Sequence, residues 1–301
     1  MNYKTIDDEI NFNNLNYSKK SKKLIIILLI LSHIFILLLG FIICYFFVKK
    51  DNNDNNNTLR YEDGPLYDII EKPSFNSHSN TLIYIHGLDN SPLKNAEVLI
   101  YPIFPLVPNN TKVVLICAPF TEIPKLQKNG TSWFDIKIPF KLDNDSYNFN
   151  DVLNNSKRII ELIDKEAEEL GGNYSKIFLF GYSQGACMSM YIGFNIKQEL
   201  GGIVSLSGVL FPEVLTQSTF NNNTKTKFFI CHGESDKVFD IKIHKETYKN
   251  FKNYSNFEFK YYKNIGHNSY ESFKHDIQTF FSNNMEKNNK ENKKFNFKQI
   301  L

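Results

Sequence analysis

The stretch KIFLFGYSQGACMS, residues 176–189, decides the fold. Four apolar or aromatic residues, 177–180, run into Gly181-Tyr182-Ser183-Gln184-Gly185, and a helix-forming segment, 186–191, follows without a break. A serine between two glycines at a strand-to-helix turn can be held in a sharply bent backbone with its hydroxyl raised above the sheet edge, because residues without a side chain let neighbouring backbone come close. The pentapeptide Gly-x-Ser-x-Gly alone is a weak signal. The apolar run before it and the helix after it supply the context the turn requires, so the segment reads as a nucleophile elbow.

On either side of the elbow the chain alternates between two periods. Short continuous apolar runs at 81–85, 112–117, 176–180, 202–206, 227–231 and 257–262 have the length and turn-residue boundaries of strands buried on both faces. Between them, 152–170 carries apolar residues at 152, 159, 160, 163, 167 and 170, a helical stripe closed by Gly171-Gly172. Further helices are expected at 186–198, near 241–251 and at 270–281. This alternation predicts an α/β fold with a mostly parallel central sheet and helices on both faces.

The amino-terminal part follows other rules. Residues 1–23 form a polar, basic tail ending in Ser18-Lys19-Lys20-Ser21-Lys22-Lys23, and residues 24–48 carry no charge at all. Such a run is long enough to cross a bilayer as one helix. A cleaved signal peptide has a shorter apolar core and a small-residue cleavage site. Here Phe47-Val48-Lys49-Lys50 follows instead, so 24–48 is expected to be an uncleaved membrane anchor. Lys4, Lys19, Lys20, Lys22 and Lys23 precede it, against Lys49, Lys50 and Arg60 after it. That bias favours a single-pass type II arrangement with a luminal or extracellular folded domain, the cytosolic-facing arrangement being the alternative. Asn-x-Ser/Thr sequons at Asn56, Asn109, Asn129, Asn144, Asn154, Asn173, Asn222 and Asn253 suit a glycosylated face, although an Asn-rich chain produces them by chance. Residues 49–65 read as a flexible Asn-rich linker, 66–285 as the folded domain and 286–301 as a basic disordered tail.

With 301 residues and 42% apolar content the chain can bury one large core. Its net charge of +3, spread over scattered lysines, gives no footprint for nucleic acid. Cys44 lies in the apolar run, while Cys117, Cys187 and Cys231 sit in or beside strands and helices, as buried thiols rather than a disulfide framework. Neither C-x-x-C nor H-x-x-x-H spacing occurs, so no metal and no other cofactor is expected. Nothing in the sequence sets an oligomeric state.

An elbow serine needs a base, and the base needs an orienting acid; both should arrive on later loops at the carboxyl ends of strands. After 227–231 comes His232-Gly233-Glu234-Ser235-Asp236, and after 257–262 comes Gly266-His267. The reading is Ser183 as nucleophile, His267 as base and Asp236 as acid, with Glu234 and Asp240 as rivals for the acid. His78, His244 and His275 have no strand leading into them and are expected to be solvated, while His86 and His232 suit the shaping of turns. An oxyanion needs two backbone N–H donors: Gln184 follows the nucleophile, and His86-Gly87-Leu88, ending an earlier strand, offers the N–H of Leu88.

In HGL at 86–88, AP at 118–119, SWFD at 132–135, GYSQGA at 181–186, CHGESD at 231–236 and GH at 266–267, residues 81–284 resemble the acyl-protein thioesterase and carboxylesterase family of α/β-hydrolases. The motifs cover about two thirds of the chain in order. The resemblance implies an α/β-hydrolase fold and a metal-free serine hydrolase acting on long acyl chains in thioester or oxygen-ester linkage, with an acylated protein or lipid as substrate. Two departures are Asp89-Asn90, where the family commonly has Gly-Asp, and Ala186 in place of a second glycine. Both leave the triad intact. The anchor at 24–48 is the larger departure, since family members that remove palmitate from proteins are usually soluble and cytosolic.

The segment 120–149 supplies Trp133, Phe134, Ile136, Ile138, Pro139 and Phe140 without a helical period. It reads either as the wall of an acyl-binding groove, with Trp133, Phe134, Ile136 and Phe140 against the substrate, or as ordinary core packing. Three functions follow in order: an acyl-protein thioesterase-like enzyme, a lysophospholipase or general carboxylesterase acting on membrane-derived lipids, and a membrane-tethered binding protein that has lost its chemistry.

Overall fold

The computed structural model describes residues 70–72, 78–90, 103–143, 145–216, 225–268 and 270–285. The expected anchor at 24–48, the linker at 49–65 and the tail at 286–301 lie outside the described residues. Among the described residues no helix is long and apolar enough to cross a membrane.

Seven strands form the central sheet: β1 (Ile70–Lys72), β2 (Asn80–Ile85), β3 (Thr111–Ile116), β6 (Ile177–Tyr182), β7 (Gly202–Leu206), β8 (Phe228–Gly233) and β9 (Phe257–Tyr262). Their order is β1-β3-β2-β6-β7-β8-β9. All neighbours are parallel except β1, which runs antiparallel to β3 at the edge. The six expected strands are all present within two residues of their sequence bounds. The α-helices are α1 (Phe149–Glu169), α2 (Gln184–Asn195), α3 (Pro212–Thr216), α4 (Ile241–Thr247) and α5 (274–285), and short 3-10 turns lie between some of the elements.

Alternation along each strand divides the core in two. Ile83, Ile85, Val114, Ile116, Leu179, Ile203 and Ile230 face one cluster, with Ile159, Leu162 and Ile163 of α1 and Met188 and Ile192 of α2. Leu82, Tyr84, Val113, Leu115, Phe178, Phe180, Val204 and Phe229 face the other, with Ile277, Phe280, Phe281 and Met285 of α5. The inner strands are buried on both faces because helices cover both, whereas in edge strand β9 Phe257 alone is buried and Glu258 and Lys260 are exposed.

The helix ends follow capping chemistry. The side chain of Asn148 accepts a hydrogen bond from the Asn150 N–H, which starts α1 three residues before the apolar stripe. At its other end the N–H groups of Gly171 and Gly172 return to the carbonyls of Glu168 and Ala167, both glycines having positive φ. One segment differs from expectation: within 120–149, β4 (Phe120–Ile123) and β5 (Lys128–Thr131) pair as a separate antiparallel hairpin. Most of its residues are exposed, so no apolar run announced it.

The topology fixes where a site belongs. From β2 the chain moves to β3 on one side, and later crosses to β6 on the other, so the connections leaving the adjacent strands β2 and β6 diverge. That divergence opens a crevice at the carboxyl ends of the strands. It is closed from below by the elbow: a Cβ on Gly185 would lie 1.9 Å from the Ile85 carbonyl oxygen, and one on Gly181 would lie 2.1 Å from that of Gly185. Both obstacles are backbone. Gly185→Ala is therefore expected to lower stability by about 3 kcal/mol or more, read from urea unfolding; a stable, fully active variant would contradict this packing.

Candidate active site

The elbow places Ser183 between β6 and α2 with φ 55° and ψ −117°. A non-glycine residue in this region costs roughly 1–3 kcal/mol and needs a surrounding structure that holds it. Here the Ser183 N–H donates to the Leu206 carbonyl at 2.9 Å, and its own carbonyl accepts from Ala186 and Cys187 in α2. The Ser183 Oγ lies 2.8 Å from His267 Nε2, and His267 Nδ1 lies 2.8 Å from Asp236 Oδ2. The other carboxylate oxygen, Asp236 Oδ1, accepts from the N–H groups of Val238 and Phe239 at 2.8 and 3.0 Å. This fixes the polarity of the chain: Nδ1–H donates to the carboxylate, leaving the Nε2 lone pair for the serine hydroxyl. The rival acids are occupied elsewhere, Glu234 beside Lys245 at 3.9 Å and Asp240 capping α4.

Leu88 and Gln184 stand on the two diverging loops. A Cβ on Gly87 would meet the Ser183 Cβ at 3.1 Å, so the loop after β2 lies against Ser183. Among the described residues neither the Leu88 N–H nor the Gln184 N–H is spent on a protein acceptor, and Gln184 is the first residue of α2, where such donors are free by construction. Trp133, Phe134, Ile136 and Phe140 sit in the core beneath this site, each at most 5% exposed. Phe134 packs edge-on to Phe211, and Phe140 lies against Tyr147 and Phe239.

Comparison with known proteins agrees with this geometry. The family described as phospholipase/carboxylesterase matches residues 67–285. The chain belongs to the phospholipase/carboxylesterase family. Acyl-protein thioesterase 1 homolog 1 of Dictyostelium discoideum is 34% identical over 170 residues, 54% of this chain and 71% of that protein. Acyl-protein thioesterase 1 of Yarrowia lipolytica is 28% identical over 185 residues, 58% of this chain and 77% of that protein. The crystal structure of Arabidopsis thaliana SOBER1 has 25% identity and a TM-score of 0.58, covering 68% of this chain and 99% of that one. This phospholipase/carboxylesterase family member is a serine hydrolase with an α/β-hydrolase fold.

The family motifs are bonded to one another. The Gln184 side chain reaches into the SWFD segment: its Oε1 accepts from the Trp133 N–H at 3.2 Å, and its Nε2 donates to the Phe134 carbonyl at 2.7 Å. The Trp133 indole N–H donates to the His86 carbonyl at 2.8 Å, and the Ser132 N–H to that of Pro119. His86 Nε2 accepts from the Ala118 N–H at 2.9 Å, which leaves Nδ1–H to donate to the Gly87 carbonyl at 2.6 Å. That last bond matters for chemistry. The Gly87 carbonyl and the Leu88 N–H share one peptide plane and point in opposite directions, so holding the carbonyl aims the N–H. Sequence reading assigned His86 only a turn and gave the Gln184 side chain no task; the signal was the co-occurrence of HGL, AP, SWFD and SQG in one chain. Asp89, a departure from the family pattern, takes positive φ, donates its N–H to the Thr131 carbonyl and pairs with Lys128, tying the loop after β2 to β5.

His244 corrects the sequence reading. Instead of being solvated it is fully buried, its Nδ1 2.7 Å from the Gly208 carbonyl and its ring stacked on His232 at 4.0 Å. His275 is exposed and His78 half-buried. The close grouping of His78, Glu166 and Glu169 already holds a cation, the Lys112 ammonium at 2.9 Å from both carboxylates, at the amino ends of the strands. Cys117, Cys187 and Cys231 are free thiols, the last two buried.

Burial sets the protonation states. It pushes the His86 imidazole down to about 4, against the opposing pull of the Gly87 carbonyl and Asp89. It also lowers His232, and lowers His244 further with the help of its histidine neighbour. For Asp236 burial acts upward, but the hydrogen bond and charge of His267 outweigh it and hold the carboxyl below its ordinary value. A histidine neutral in the fold but protonated when unfolded makes the unfolded chain bind more protons, so stability rises with pH across that interval. Stability should therefore fall as pH drops from 6.5 toward 4, by roughly 3 kcal/mol from His86 alone. His232 and His244 act in the same direction. Urea midpoints across this range test it, and a flat profile would contradict it.

Proposed function

We propose that the protein hydrolyses long-chain acyl thioesters or carboxylic esters through an acyl-enzyme on Ser183. The observation that carries this reading is the continuous relay Ser183 Oγ, His267, Asp236, at 2.8 Å for each link, with the unspent N–H groups of Leu88 and Gln184 on the adjoining loop and helix start. His267 Nε2 takes the hydroxyl proton as Ser183 Oγ attacks the acyl carbonyl carbon. The oxygen that gains charge is received by the N–H groups of Leu88 and Gln184. As the intermediate collapses, the carbon–sulfur or carbon–oxygen bond breaks and the protonated His267 hands its proton to the departing thiol or alcohol. Water, deprotonated by the same imidazole, then releases the carboxylic acid and restores Ser183. Asp236 keeps the imidazole in the required tautomer and stabilises its protonated form.

Thioester cleavage of acylated proteins is the first reading because curated relatives at 28% and 34% identity bear the name acyl-protein thioesterase. A lysophospholipase or carboxylesterase activity on membrane lipids is the second, since the family description itself is phospholipase/carboxylesterase. For the acyl chain we propose a path over the partly exposed Leu88, Ile138 and Val238, backed by Trp133, Phe134, Ile136 and Phe140. Val238 borders the site directly, its N–H on Asp236 and its carbonyl receiving the Phe140 N–H.

Ser183→Ala is expected to abolish turnover while leaving the unfolding midpoint unchanged, and His267→Ala to lose nearly as much. The double variant should lose little more than either, because the pair acts as a unit. Losses that multiply would contradict the assignment. Matched acyl thioester and oxygen-ester substrates compared by kcat/KM decide between the first and second readings.

The apolar run 24–48 supports a membrane-anchored enzyme, and the lysine bias before it supports a type II arrangement with the catalytic domain beyond the cytosol. In that arrangement luminal acyl esters or membrane-derived lipids take precedence over S-acylated cytosolic proteins. Endoglycosidase treatment of the expressed protein should produce a mobility shift that disappears when the sequons after Val48 are removed. An unglycosylated protein, digested by protease added to the cytosolic side of sealed vesicles, would reverse the orientation.

A further inference from the structure

Nucleophile and base come from strands that are not neighbours. Between β6, which ends in the elbow, and β9, which leads to His267, lie β7 and β8. Three strand spacings amount to about 14 Å. The loop leaving β9 must fold back over that distance and be held there. Its first part is anchored to the loop after β8: the Glu234 N–H donates to the Tyr262 carbonyl at 2.9 Å and the Ser235 N–H to the Ile265 carbonyl at 2.8 Å. Beyond Ile265 those anchors stop. Among the described residues, the side chains that hydrogen-bond to 266–268 are Asp236 and Ser183, on the imidazole itself, and Tyr182.

Tyr182 immediately precedes the nucleophile. Its phenol oxygen lies 3.2 Å from the His267 carbonyl oxygen and 2.6 Å from Asn268 Oδ1, so its single proton faces two acceptors on the base-bearing loop. The ring lies 5.5 Å from the His267 imidazole at an interplanar angle of 37°. The other side of the ring packs on the oxyanion loop, where a Cβ on Gly87 would meet it at 3.1 Å. Burial, reinforced by the nearby charge of Asp236, pushes the phenol above its ordinary range, so it is a protonated donor at neutral pH.

We propose that Tyr182 is a positioning residue for the base. Its phenol clamps the His267-Asn268 backbone onto the elbow, and so sets the distance between Ser183 Oγ and His267 Nε2 from the residue next to the nucleophile. Asp236 orients the imidazole within its plane; Tyr182 fixes the height of the loop above the sheet. The two restraints are independent, one on the ring and one on the main chain. The inference rests on the reading of Ser183 and His267 as nucleophile and base.

Tyr182→Phe is the test, because it keeps the ring against Gly87 and removes only the hydroxyl. In the full chain, kcat on an acyl thioester should fall about tenfold, the scale of one well-formed hydrogen bond, with KM changed less than about twofold. The far-downfield proton resonance of His267 Nδ1–H should broaden, and the unfolding midpoint should stay in place. Asn268→Ala, at an exposed position that carries no folding risk, should lose less than Tyr182→Phe. The double variant should lose no more than Tyr182→Phe alone, since both act through one phenol. A folded Tyr182→Phe protein with unchanged kcat and an unchanged resonance overturns the clamp, as do losses that multiply in the double variant. Ser183→Ala measured alongside separates the two levels. Retained turnover there overturns the underlying reading, whereas dependence on Ser183 with Tyr182→Phe at full rate overturns the clamp alone.

Discussion

The close approach of three backbone segments at the elbow is the constraint on which the rest depends. The chain at Gly185 passes so near the Ile85 carbonyl that a methyl group would overlap it, and Gly181 is equally tight against Gly185. That contact joins the carboxyl ends of β2 and β6 at the point where their connections diverge. It also forces Ser183 into positive φ, a strain the turn sustains because the Ser183 N–H and carbonyl are both hydrogen-bonded. The loop after β2, Ser183 and the first turn of α2 are thereby brought together before any side-chain chemistry is considered.

Around that contact, polar side chains act as cross-links between loops. His86, Trp133 and Gln184 connect the loops after β2, β3 and β5 with the start of α2, and each uses a buried hydrogen bond whose loss leaves an unsatisfied group in the core. Such bonds add modestly to net stability but are costly to break from one side. They therefore specify geometry more than they raise stability. The neutral state of His86 belongs to the same logic: a proton on Nε2 would face the Ala118 N–H that this nitrogen now accepts.

The sequence made the central strands legible because parallel strands covered on both faces must be continuous apolar runs, and Ile83, Leu179 and Ile230 obey that rule. Edge strand β1 was not legible, for three residues Ile-Glu-Lys carry no period. The β4–β5 hairpin is exposed and polar, so hydrophobic patterning had nothing to report. Ser183, Asp236 and His267 could be picked from the sequence because each follows a strand; what only the fold presents is their approach to 2.8 Å and the Val238 and Phe239 N–H groups that hold the other oxygen of Asp236. His244 was misread because its burial comes from tertiary packing, with His232, Tyr248 and Tyr261 around the ring and the Gly208 carbonyl on Nδ1, which no helical or strand period encodes. For Trp133, Phe134, Ile136 and Phe140 the fold places them in the core under the site, as the core-packing reading of 120–149 expects.

The proposed mechanism stands on a covalent intermediate formed on a serine strained into place by the elbow. The most direct measurement mixes the enzyme with a long-chain acyl thioester, follows thiol release on the pre-steady-state timescale, and determines the intact mass of protein quenched in acid. The account predicts a burst of thiol stoichiometric with enzyme and a mass increase of one acyl group that maps to Ser183. Steady thiol release with no burst, and no acyl adduct on Ser183 at any time point, would contradict it.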